Sequence, residues 1–161
     1  MAGVAGLLTA CSAAEQPEGA QSAADPAEAS EPAKPVDKPA KHTQQPRDED
    51  KVVTVINSFH KAVDRGDAKR ACSLLTKTLQ GVYAMNPGAA NCVEGVKYTH
   101  DHLDGAKMSA LKVAPEDVKV KGREAIVSHK LIAKRNDTKA QATDSYNLVR
   151  SGKTWKIDYI G

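Results

Sequence analysis

His129, Asp144, Tyr146, Trp155 and Tyr159 have the types and the spacing to build a polar site in the C-terminal third of the chain. A hairpin turning on Asn136-Asp137 sets His129 opposite Asp144. A second, turning on Ser151-Gly152, sets Asp144 opposite Tyr159. In that register Tyr146 faces Ile157, Leu148 faces Trp155, and all share one sheet face with Val127 and Leu131. The other face carries Ser128, Lys130, Thr143, Ser145, Asn147 and Lys156 and is the wetter side. The apolar face is thus expected to hold a row His129–Asp144–Tyr159. A carboxylate that orients an imidazole makes a general base, with Tyr159 or Tyr146 as hydrogen-bond donor. The same row is also a polar cluster that merely satisfies itself, because buried polar groups find partners whatever the function. The second reading is favoured.

The three cysteines offer different chemistry. Cys72 and Cys92 lack a neighbouring His or a CxxC partner, so neither reads as a nucleophile. Cys11 closes Leu8-Thr9-Ala10-Cys11, behind the apolar run Gly3–Leu8 and at a sharp break in composition. This stretch resembles the lipobox of bacterial lipoproteins. The resemblance implies a diacylglyceryl group on Cys11, removal of residues 1–10, and a membrane-anchored chain on the extracytoplasmic side. Met1–Ala10 holds no Lys or Arg and is read as a truncated signal peptide, too short to span a bilayer. Two acyl chains suffice for stable anchoring, where one is marginal. With Cys11 given to lipid, Cys72 and Cys92 are left to pair in an oxidising space; two buried free thiols are the alternative.

The other histidines point nowhere in particular. His100 and His102 on one helix aim their rings about 200° apart, a poor geometry for one metal ion. His60 is placed on the polar side of the first helix. No cofactor or metal is expected.

These groups depend on the elements that carry them. The chain has 161 residues and a net charge of +3. Residues 12–50 hold four Lys/Arg against nine Asp/Glu (4 − 9 = −5), and residues 51–161 hold nineteen against eleven (19 − 11 = +8). Six of the eight prolines and no aromatic residue lie in the acidic tract. It buries too little to offset ordering entropy and reads as a disordered tether over 11–50, with an r.m.s. span of about 35 Å. Residues 51–161 form one small domain.

Within that domain Val52, Val55, Ile56, Phe59, Ala62 and Val63 recur at helical spacing. Gly66 stops this helix and Asp67 caps a second, faced by Ala68, Ala71, Cys72, Leu75 and Leu79. A third runs from about Asn91 to Leu103. From Lys107 the period becomes two, with strands at Met108–Val113, Asp117–Lys121, Arg123–Lys134, Ala140–Arg150 and Thr154–Ile160. The expected fold is α+β, three N-terminal helices packed on a curved antiparallel sheet of four to five strands.

This order, the stretch Gly66-Asp67 to Ala71-Cys72-x-Leu74-Leu75, the later Cys92, and the closing Gly152–Asp158 resemble the nuclear transport factor 2-like superfamily. The match is closest to its small exported lipoprotein members and spans about residues 50–161. The superfamily includes isomerases, cyclases and non-catalytic binding modules, so the resemblance fixes no activity. The expected function is a non-catalytic, lipid-anchored binding domain. Its partners are the bilayer through the anchor and an envelope protein, an anionic wall polymer, or a small apolar ligand in the cone. The alternative is an isomerase- or cyclase-like enzyme using His129 and Asp144. Lysines on strands and turns suit an anionic surface; few aromatic residues argue against nucleic acid.

Overall fold

The computed structural model describes residues 46–161; Cys11, the signal-peptide segment and the tether up to Gln45 lie outside the described residues. Among the described residues the chain forms five α-helices and a four-stranded antiparallel sheet, an α+β fold. In chain order these are α1 (Asp48–Asp64), α2 (Ala68–Ser73), α3 (Lys77–Tyr83), α4 (Cys92–Asp101), β1 (Val118–Lys121), β2 (Glu124–Val127), α5 (His129–Asn136), β3 (Tyr146–Ser151) and β4 (Thr154–Ile160). No helix among the described residues is long and apolar enough to cross a membrane.

The first helix forms as its periodicity requires. Val52, Ile56, Phe59 and Val63 lie on one stripe and are fully buried. Asp48, Glu49 and Asp50, expected at the positive end of this helix's dipole although the tether is bounded at residue 50, make its first turn. The expected second helix is broken in two. Leu75 leaves helical geometry to bridge Ile157 in parallel, which covers the outer edge of β4. Thr76 then caps α3 by accepting from the Leu79 amide at 3.2 Å. Cys72 on α2 and Cys92 at the start of α4 form a disulfide, with Cα atoms 6.1 Å apart.

The sheet departs from expectation in several places. Met108–Ala110 is a 3-10 turn rather than a strand. The strand expected over Arg123–Lys134 ends at Val127, and Ser128 caps α5 instead. Asn136-Asp137 is therefore no hairpin: Asp137, at φ 53°, is the left-handed C-cap of α5. The chain then crosses through a further 3-10 turn (Ala140–Ala142) before β3 begins at Tyr146, not Ala140. The strand order is β1-β2-β3-β4, with Ala125 opposite Leu148 and Val127 opposite Tyr146.

The last hairpin turns on Gly152-Lys153, with Ser151 opposite Thr154 and Leu148 opposite Ile157. This is two residues from the expected register, so inward residues stay inward. An irregularity at Asn147/Leu148 then sets Asn147 against Tyr159 and Tyr146 against Ile160. The extra residue turns Tyr159 out of the core.

Candidate functional site

The space between α1 and the sheet is filled by side chains. Val52, Ile56, Phe59 and His60 on the helix meet a core that includes Tyr146, Leu148, Trp155 and Ile157. Of the expected pocket residues, Tyr146 is fully buried in the core, and Trp155 packs into it with 2% of its surface left exposed.

The row His129–Asp144–Tyr159 is not assembled. His129 is the first residue of α5 and half-buried, and its carbonyl accepts from the Thr143 hydroxyl at 3.0 Å. Asp144 is exposed in the segment before β3, and Tyr159 stands half exposed on the outer sheet face. No side-chain hydrogen bond joins any two of them among the described residues. The cause is the helix where a strand was expected, together with the bulge: the first removes the His129–Asp144 register and the second reverses Tyr159.

The buried polar pair is a different one. The Tyr146 hydroxyl lies 2.7 Å from Nε2 of His60, whose ring is fully buried. His60, placed above on the polar side of α1, stands four residues after Ile56 and three before Val63, on the core stripe itself. That spacing was the signal for it. In either tautomer one ring nitrogen works against burial, because Nδ1 has no partner among the described residues. Burial lowers the imidazole pKa from 6.5 to about 4, with the Asp64 carboxylate opposing it. Burial likewise raises the Tyr146 phenol, and it pushes Tyr83 up to about 12. A neutral imidazole without access to solvent, set against a phenol held in its protonated form, is a packing feature rather than an acid–base centre.

A pH dependence follows. The unfolded chain protonates His60 near pH 6.5, whereas the folded chain resists until about pH 4. The stability contributed is present above pH 6.5 and falls as the pH drops, by about 2 kcal/mol at pH 5. Burial raises the Asp64 carboxyl, but hydrogen bonds from Ser109 and Met108 outweigh this and hold it below its usual range, so it acts at lower pH. Urea unfolding at pH 7.5 and pH 5 should show the decline, and His60→Gln should remove most of it. Equal slopes in the two proteins would refute the assignment.

The strongest surface feature is a basic groove of about 480 Å³ between the start of α3 and the β3–β4 hairpin. Its lining includes Lys77, Arg123, Arg150 and Lys156, with the polar Thr76 and Ser151, and no carboxylate among the described residues. Local structure fixes most of these groups. The Arg123 guanidinium donates to the Arg150 carbonyl at 3.1 Å, tying the β1–β2 turn to β3. Lys156 donates to the Ser73 carbonyl, and Thr76 donates to Asp158 at 2.8 Å. Arg150 lies over the Trp155 ring, 4.8 Å from its centroid, and pairs with Asp48. Lys77 and Arg123 are exposed and have no ion-pair partner among the described residues. The arrangement can attract and hold an extended anion.

No group of three or more His, Cys, Asp or Glu among the described residues could hold a metal ion. His100 Nδ1 instead meets the Val63 carbonyl at 2.9 Å, and His102 Nδ1 meets the Tyr98 carbonyl at 2.7 Å. No protein-family model matches the chain, and no curated protein or solved structure matches it.

Proposed function

We propose that the chain is a lipid-anchored binding protein of the extracytoplasmic face of a bacterial membrane, whose nuclear transport factor 2-like domain captures an anionic polymer of the envelope without catalysis. The lipobox resemblance at Leu8-Thr9-Ala10-Cys11 supports the anchor, and four helices ahead of an antiparallel sheet, itself interrupted by α5, support the domain type. The observation that carries the binding reading is the groove, where Lys77 and Arg123 have no ion-pair partner among the described residues. The enzyme alternative gains nothing, because His129 and Asp144 stand apart. A small ligand inside the cone loses its place to the packed side chains of α1.

Poly(glycerol phosphate) is a suitable probe, with neutral dextran as reference. The protein should bind the first in a salt-sensitive manner, since exposed charges are screened over about 8–10 Å at physiological salt. Lys77→Ala combined with Arg123→Ala should weaken binding about 30-fold at low salt, taking roughly 1 kcal/mol per near-surface cation. Lys112→Ala with Lys134→Ala, an equal change of charge elsewhere, should have a much smaller effect. Equal losses in the two double variants would overturn the groove as the site. Mass spectrometry of the mature N-terminus tests the anchor, and an unmodified Cys11 in the membrane fraction would overturn it.

A further inference from the structure

Between the first turns of α1 and the tip of the β3–β4 hairpin lies a second concavity, an apolar cleft of about 320 Å³. Pro46, Val55, Thr54 and Trp155 line it, and Lys51 and Lys153 stand at it with stems that can lie along apolar surface. Its size falls at the lower end of the roughly 300–1,000 Å³ of small-molecule clefts. Charges around it are unequally matched. Asp50, which also lines it, accepts from Arg47 at 3.2 Å, and Lys51 donates to Asp48 at 3.3 Å. Lys153 has no ion-pair partner among the described residues. An apolar hollow beside one unmatched cation is complementary to an apolar body with one negative head.

We infer that this cleft binds a single small anionic amphiphile, its chain or ring against Trp155 and Val55 and its head at Lys153. The occupant enters as one molecule rather than as a bilayer surface. Trp155 lines the cleft but is only 2% exposed, so a flat layer of lipid would touch little of it. The site is separate from the basic groove and does not depend on what that groove holds.

Trp155 is the only tryptophan of the chain, so its fluorescence reports on this cleft. The test is a titration of the full chain with terminally brominated undecanoate, whose bromine quenches an indole on contact, against unbrominated undecanoate. Saturable quenching is expected below the micellar range. Val55→Arg, which lays a charged side chain across the cleft, should abolish it. Lys153→Glu, in an exposed turn that tolerates the change, should weaken it at least tenfold, and it decides the matter should Val55→Arg fail to fold. Absence of saturable quenching in the wild type, or unchanged quenching in Lys153→Glu, overturns the inference. Equally tight binding of brominated undecanol overturns the anionic part of it.

Discussion

Gly95→Ala is expected to destabilise the domain by about 3 kcal/mol or more and to lower its midpoint of thermal unfolding by roughly 10–20 °C. Gly95 lies in α4 where that helix crosses α3. A methyl group there would fall on the Tyr83 carbonyl oxygen and lie 2.5 Å from the carbonyl carbon. Both are backbone atoms, so no side-chain rotation relieves the overlap. The Gly95 carbonyl also accepts from Asn86 Nδ2 at 2.9 Å, and displacing α4 would strain that contact. Gly81, in α3, provides the opposite case. Nothing lies within 4 Å of a Cβ built there and the position is exposed, so Gly81→Ala should stabilise by about 0.5–1 kcal/mol through lost backbone entropy. Thermal unfolding of the two variants should therefore move in opposite directions. A Gly95→Ala protein as stable as the wild type would mean that α3 and α4 do not pack as described.

The first helix and the start of the second were legible because their signals are local and redundant. Val52, Ile56, Phe59 and Val63 mark one stripe, Gly66 ends the helix with φ 68°, and Asp67 accepts from the Arg70 amide at 3.1 Å as a cap should. The region after Val127 was not legible, and the reason is specific. Asn136-Asp137 suits a hairpin because Asp tolerates left-handed backbone, yet the same conformation closes a helix. Lys130, Leu131, Ala133, Lys134 and Arg135 are all good helix formers, and Ile132 and Ala133 are buried from a helix rather than from a strand. Reading alternate residues as inward turned that helix into a strand and created the His129–Asp144 pair. The bulge that sends Tyr159 outward depends on pairing between strands and leaves no mark in either one. His60 was missed because its residue type was weighed above its position. The groove joins α3 to turns far along the chain, so only the general excess of lysine and arginine hinted at it.

Reduction of the Cys72–Cys92 disulfide is expected to lower stability by about 3 kcal/mol in the chain-entropy model, for a loop closed over a sequence separation of 20. The figure matters here because the core contains a single Phe and a single Trp, and α4 presents only Cys92, Gly95 and Val96 as buried residues. The crosslink ties that short buried face to α2 at the point where the Gly95 crossing ties it to α3. Reduced wild-type protein and the pair Cys72→Ala with Cys92→Ala separate two effects. The reduced thiols keep their bulk in sites only 7% and 9% exposed, so reduction acts chiefly by removing the constraint on the unfolded chain. The alanine pair should cost somewhat more, since it also removes buried sulfur. In urea titrations both should shift the midpoint. Adding Gly95→Ala to either should cost less than the sum of the separate losses, because both contacts hold the same helix. Strict additivity would show that α4 is held elsewhere, and an unchanged midpoint with both thiols demonstrably free would remove the disulfide from the stability of this domain.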